Sequence, residues 1–82
     1  MPKLKPQQDR PRDLRVVVVH GVEYMVDWEK MIPGASFFLP TVATVAQVKA
    51  AISIPVRVYG YQVELRTRRE YGRYGVRVWR LY

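Results

Sequence analysis

The stretch from Tyr61 to Arg68 limits what this chain can fold into more than any other part of the sequence. Tyr, Val, Leu and Thr occupy its odd-numbered positions, and Gln, Glu and two Arg occupy its even-numbered positions. This period of two is that of a β-strand with one buried face. Residues 69–75, which contain two glycines, predict a loop, and residues 76–81 predict a second strand with Val76 and Val78 toward the core. The chain therefore ends in a predicted β-hairpin.

Two strands joined by a tight turn are predicted nearer the amino end. Val16–Val19 is a run of four β-branched residues, which favour a strand over a helix. His20-Gly21 has the length of a two-residue hairpin turn, and residues 22–28 then alternate with their apolar members on one face. Four consecutive valines indicate a strand that is covered on both faces or that pairs with another chain, because an exposed valine edge would associate with other strands.

A third strand is predicted at residues 35–39, which are short, apolar and followed by Pro40. In an extended segment Phe37 and Phe38 point to opposite faces. At least one of the two rings is therefore expected to lie under a neighbouring element.

One helix is predicted between this strand and the C-terminal hairpin. Thr44 and Gln47 have the spacing of a capping box, although Thr41 is a rival cap one turn earlier, and apolar residues then recur at steps of three and four. Gly60 suits the C-terminal end of the helix. Pro55 would remove a hydrogen bond inside the helix, so the helix either is kinked or in two parts, which we favour, or stops near residue 54.

The order of elements indicates an α+β fold. A small antiparallel sheet (order β-β-β-α-β-β) is predicted to carry one helix packed on one face. Residues 14–82 form one domain in this interpretation. Residues 1–13 are predicted to be a disordered basic tail, or an arm that adds phosphate contacts, because prolines at positions 2, 6 and 11 prevent a continuous helix.

The net charge of +7 is unevenly distributed along the chain. Residues 1–15 hold five basic and two acidic side chains, residues 16–65 hold three and four, and residues 66–82 hold six and one. A nearly neutral body with two basic ends is typical of a protein that binds nucleic acid or another polyanion. The alternative is a charge excess that only keeps the protein soluble.

The C-terminal hairpin is the strongest functional signal. Its six basic residues are all arginine, whose planar guanidinium matches phosphate oxygens and guanine edges, and aromatic residues that could stack on bases lie between them. A two-stranded ribbon also fits the major groove of DNA. The alternatives are an acidic protein surface as the partner, or no polyanion role, with Trp79 in the core. The predicted nucleic-acid-binding residues are Arg66, Arg68, Arg69, Arg73, Tyr74, Arg77, Trp79 and Arg80.

Signals of catalysis are weak, and we predict a protein that is not an enzyme and uses no cofactor or metal. The chain has no cysteine, its one histidine lies in a predicted turn, and its glycines match no phosphate-binding loop. Glu23, Asp27 and Glu29 could share one face and bind a divalent ion, but they are more simply the solvated side of a strand. No apolar run is long enough to span a membrane, so no membrane partner is predicted.

The segment DWEKMIPGASFFLPT at residues 27–41, followed by a helix and by GVRVWR at residues 75–80, resembles small proteins encoded by phages and prophages. These proteins share a G-x-S-F-F-x-P stretch, a helix and a terminal R-V-W-R. The likeness covers residues 27–82, and this chain departs from it in having Pro55 and a longer, arginine-rich hairpin loop. The shared positions are Gly34, Ser36, Phe37, Phe38, Pro40, Arg77, Val78, Trp79 and Arg80.

The resemblance implies a phage setting and the host cell cytoplasm as the compartment. The first functional hypothesis is a non-enzymatic, phage-type nucleic-acid-binding protein, with DNA or RNA, single or double strand, left open. The second is a phage-encoded inhibitor of a host protein, for example an anti-defence or anti-CRISPR protein. The third is a structural or assembly protein that forms a homodimer through Val16–Val19.

Overall fold

A computed structural model describes residues 13–82, so the predicted basic tail lies outside the described residues except for Asp13. The described part contains five strands, two α-helices and one turn of 3-10 helix, which confirms the α+β class and the order of strands and helix. In chain order the elements are β1 (Val16–Val19), β2 (Val22–Met25), the 3-10 helix (Trp28–Lys30), β3 (Ser36–Pro40), α1 (Val45–Ala51), α2 (Ser53–Tyr59), β4 (Val63–Glu70) and β5 (Arg73–Arg80).

The strands are divided between two small antiparallel sheets, whereas the sequence predicted one sheet. β1 pairs with β2, and the second sheet has the order β3-β5-β4, with β5 in the centre. Phe37 and Leu65 lie on either side of Val78 in the register of the three-stranded sheet. The hydroxyl of Tyr24 on β2 donates a hydrogen bond to the Pro40 carbonyl at the end of β3, which links the two sheets.

The β1–β2 hairpin turns at His20-Gly21, as predicted. Both residues have positive φ, 55° and 78°, which gives a two-residue turn whose twist matches that of the strands. Val17 and Val19 are buried, whereas Val16 and Val18 are 37% and 53% exposed. The prediction that this strand is covered on both faces within the chain is therefore wrong, because the core lies against one face of the hairpin. Pairing with another chain stays a prediction.

The helical segment is in two parts, as favoured from the sequence. Thr44 Oγ1 accepts from the Gln47 amide at 3.1 Å and Gln47 Oε1 accepts from the Thr44 amide at 2.9 Å, so the predicted capping box is present. α1 ends at Ala51, and Pro55 is the third residue of α2, where a backbone N–H would have no partner inside the helix. Gly60 ends α2 with φ 71°, as predicted.

The C-terminal hairpin also turns within two residues, Tyr71 and Gly72, with φ of 54° and 73°. The predicted loop at residues 69–75 is therefore wrong. Three cross-strand pairs extend the ladder through this region, from Arg68 with Gly75 to Glu70 with Arg73. Gly75 is a strand residue, and its lack of a side chain serves packing.

The core lies between the helices, the β1–β2 hairpin and one face of the three-stranded sheet. Trp28 is fully buried, donates its indole N–H to the Leu14 carbonyl at 2.8 Å, and packs in a T-shaped arrangement with the Phe37 ring at a centroid distance of 5.5 Å. Val48 of α1 and Val76 of β5 are equally buried. Side chains alternate between the two faces along each strand. Because Val76 and Val78 face the core, the odd-numbered residues of β5 and their cross-strand partners project from the other face.

Candidate nucleic-acid interface

The face of the three-stranded sheet that points away from the core carries charged and aromatic side chains in cross-strand rows. One row places Trp79 between Ser36 and Glu64, and the next places Arg77 between Phe38 and Arg66. Further along, Arg68 lies opposite Gly75 and Glu70 opposite Arg73. Phe38 and Trp79 do not belong to the hydrophobic core of the described residues. This surface, called the open face below, consists of Ser36, Phe38, Glu64, Arg66, Arg68, Glu70, Arg73, Arg77 and Trp79.

The structure brings five of the eight predicted site residues together on the open face. These five are Arg66, Arg68, Arg73, Arg77 and Trp79. The other three have the opposite parity along their strands. Arg69 and Tyr74 face each other next to the hairpin turn, and Arg80 lies at the far end of β5.

Arg77 is held by its neighbours at the centre of the open face. Its Nε and Nη2 donate to Glu70 Oε2 and Oε1 at 2.7 and 2.6 Å, and its Nη1 donates to Ser36 Oγ at 2.6 Å. These hydrogen bonds lower the pKa of the Glu70 carboxyl and raise the pKa of Arg77. Because three of its five N–H donors are engaged and its charge is paired with that of Glu70, Arg77 orders the surface and has little capacity left for a phosphate.

Arg66 and Arg68, both on β4, lie on the open face near Trp79. Arg66 Nε is 2.5 Å from a carboxylate oxygen of Glu64, and the Arg68 guanidinium carbon is 5.9 Å from the centroid of the Trp79 ring. Arg68 is also 3.8 Å from Glu70, a distance too long for a hydrogen bond. A shallow depression of about 350 Å³ is lined by Glu64, Arg66, Arg68 and Trp79, and also by Arg80.

The hairpin tip, defined here as residues 69–74, adds further positive charge. The Arg69 guanidinium carbon lies 5.2 Å from the centre of the Tyr74 ring, a cation–π distance. Within residues 13–82, Arg69 and Arg73 form no ion pair. Tyr71 is 91% exposed. The tip therefore presents two unneutralised guanidinium groups and two aromatic rings to solvent.

Arg80 has a different place from the other arginines. Its Nη1 donates to the Met31 carbonyl at 2.8 Å, its Nε donates to the Tyr82 carbonyl at 2.6 Å, and its guanidinium lies 3.8 Å from the centre of the Tyr61 ring. The bond to Met31 ties the last strand to the segment that precedes β3, and the other two contacts are to the chain end and to Tyr61 before β4. The geometry indicates a structural role for Arg80.

Phe38 belongs to the open face but was not among the predicted site residues. Its ring lies over Gly75 of the neighbouring strand, where an added Cβ would come within 2.5 Å of Phe38 Cζ. The Arg77 guanidinium carbon lies 5.9 Å from the same ring. The opposite orientations of Phe37 and Phe38 were the sequence signal that could have identified it.

Other functional classes receive little support within residues 13–82. No group of three or more acidic or histidine side chains is placed to hold a metal ion there, and Glu23, Asp27 and Glu29 form no such group. None of the helices in this part of the chain has the length and apolar character needed to cross a membrane.

Comparison of the chain with protein-family models, with curated proteins and with solved structures gave no match.

Proposed function

We propose that this protein is a non-enzymatic, phage-type nucleic-acid-binding protein of the host cell cytoplasm, and that the open face and the tip form its contact surface. The observation that carries this proposal is the placement of Arg66, Arg68 and Arg73 on the same sheet face as Trp79, opposite to the core. Guanidinium groups bind phosphate oxygens, and an indole ring stacks on bases of any sequence.

The charge of this surface supports the proposal. The open face and the tip together carry five arginines and two glutamates. Glu70 is neutralised by Arg77, and Glu64 by Arg66, so the remaining charge resides on Arg68, Arg69 and Arg73. Residues 16–65, in contrast, hold three basic and four acidic side chains. A polyanion would therefore be attracted to this end of the molecule.

The test is fluorescence anisotropy with labelled single-stranded and double-stranded DNA and RNA at two salt concentrations. Affinity should fall as salt rises, with a slope of about −0.7 to −0.9 per phosphate neutralised. The double variant Arg68→Ala/Arg73→Ala should bind more weakly and show a shallower slope. Lys49→Ala/Arg57→Ala is the matched control, because it removes two exposed basic groups from the helices.

Equal losses in both double variants would contradict a localised site. Absence of salt-dependent binding to all four nucleic acids would overturn the proposal and favour an inhibitor of a host protein. A pull-down from a nuclease-treated host lysate would then test that second function.

A separate observation favours self-association as a further candidate. Val16, Val18 and Ile54 are 37%, 53% and 40% exposed and line one groove together with Ala50 and Pro55. Exposed apolar side chains that adjoin one another are typical of protein–protein contacts. Light scattering at high protein concentration should show a dimer that Val18→Lys disrupts, and a monomer would contradict this candidate.

A further inference from the structure

We infer that the ligand of the open face is single-stranded nucleic acid, which lies across the sheet with unstacked bases against Trp79 and Phe38. This inference rests on the proposed function and narrows it to one class of ligand.

The two rings are placed for successive bases. Phe38 is directly opposite Arg77, and Trp79 is two residues further along β5, so the two aromatic residues are diagonal neighbours on adjacent strands. Diagonal neighbours on one sheet face are about 7–8 Å apart. Both residues are half-buried and are part of a face that points away from the core. A strand with separated bases could contact both rings at once.

Neighbouring residues hold the Phe38 ring in place before any ligand binds. Phe38 is seated over Gly75, and Arg77, which adjoins Phe38, is held by Glu70 and Ser36. Such preorganisation reduces the entropy lost on binding. Arg68 is less constrained, since it is 5.9 Å from the centre of the Trp79 ring and 49% of its side chain is exposed. A base that stacks on Trp79 can replace Arg68, which then reaches a phosphate.

A duplex cannot use the same rings. Its bases are stacked on one another and show only their edges in the grooves. The part of the hairpin that extends beyond β3 is residues 69–74, which contains neither Phe38 nor Trp79, so insertion of the tip into a major groove would not use these rings.

The experiment compares a labelled oligothymidylate, an oligouridylate of equal length and a duplex of equal length, at one salt concentration and then across a salt series. The variants are Trp79→Leu and Phe38→Leu, which remove a ring without changing charge. Single-strand affinity should fall about 5- to 100-fold for each variant, the range expected for one stacked base. The salt slope should stay that of the wild type, because no phosphate contact is lost.

Two measurements keep folding and stacking apart. Trp79→Phe retains a ring and should recover most of the affinity that Trp79→Leu loses. Single strands should quench tryptophan emission in the wild type, and this quenching should disappear in Trp79→Phe, where buried Trp28 is the remaining tryptophan.

Each outcome decides one of the two proposals. Duplex binding as tight as single-strand binding, or unchanged single-strand affinity in both leucine variants, would overturn the inference and leave the proposed function in place. If the wild type shows no salt-dependent binding to any of these nucleic acids, the proposed function itself is overturned. The oligothymidylate and oligouridylate arms separate DNA from RNA.

Discussion

Arg77 forms a two-point ion pair with Glu70, in which Nε and Nη2 donate to the two carboxylate oxygens at 2.7 and 2.6 Å. The pair joins the middle of β5 to the end of β4, and the third contact of Arg77, to Ser36, reaches β3. One guanidinium therefore connects all three strands of the sheet. Its side chain is 22% exposed and that of Glu70 is 15% exposed, so water competes weakly for these bonds.

The Glu70 carboxylate should make stability depend on pH in the acid range. Arg77 lowers the folded-state pKa of Glu70 below the ordinary value of about 4.3, so this group contributes stability above about pH 4.3 and loses it as pH falls through the folded-state pKa. Thermal melts followed by circular dichroism should show a lower Tm for Glu70→Gln at neutral pH and a smaller loss of Tm on acidification. Glu23→Gln, which removes an exposed carboxylate, should behave as the wild type, and an unchanged acid dependence in Glu70→Gln would contradict this prediction.

Glu64→Gln should strengthen nucleic acid binding. Glu64 holds Arg66 through a contact of 2.5 Å and adds a negative charge beside Trp79. Its neutralisation releases Arg66 for a phosphate and should raise affinity about 3- to 10-fold at low salt, with a steeper salt slope. Glu29→Gln, which removes an exposed acid outside the open face, is the control in the same anisotropy titration, and an equal gain in both variants would point to net charge alone.

Gly75→Ala should damage both the fold and the site. The new methyl group would overlap the Leu39 carbonyl and the Phe38 ring, and overpacking of this kind costs about 1–3 kcal/mol. Phe38 must move, so single-strand affinity should also fall. Gly72→Ala has open space for its methyl group but a φ of 73°, so it should cost about 1–2 kcal/mol through backbone strain alone. Urea denaturation and anisotropy on the folded protein measure the two effects, and an unchanged affinity in Gly75→Ala would contradict the role assigned to Phe38.

The two tryptophans should differ sharply in their effect on stability. Trp28→Phe loses the indole hydrogen bond to Leu14 and leaves a void in the core, which should cost about 1–3 kcal/mol. Trp79→Phe changes a side chain outside the core and should cost less than about 1 kcal/mol. Urea denaturation of both variants checks this order, and its reversal would mean that Trp79 supports the fold more than the site.

Local periodicity predicted much of the sheet but little of its assembly. The alternation of apolar and polar residues in Tyr61–Arg68 correctly predicted that Arg66 and Arg68 lie on the same face of the sheet. Trp79 was correctly predicted to lie on that face as well. The division into two sheets depends on pairing between distant segments, which no short pattern encodes. In the sequence Gly72 and Gly75 both looked like loop glycines. Gly75 is required because the Phe38 ring occupies the space of a side chain there, and Phe38 is far away in the sequence.

The sequence also could not show that the predicted site residues lie on different parts of the surface. The number of arginines in the hairpin does not show which face each one occupies. Arg69 and Arg80 point to the opposite side of their strands from the arginines of the open face. Arg80 is engaged by the carbonyls of Met31 and Tyr82, and such contacts appear only when the chain ends are brought together. Charge composition can indicate a basic end of the chain, but the partners of each guanidinium require the fold.

Within the described residues β4 is hydrogen-bonded to β5 alone, so the backbone of Val63–Glu70 is a long unpaired edge. An edge of this length invites another strand to add to the sheet, and natural proteins prevent this with charged side chains. Arg66 and Arg68 supply that protection here. The two arginines proposed to attract nucleic acid would therefore also hinder the addition of another strand, so ligand binding and protection of the sheet edge would depend on the same side chains.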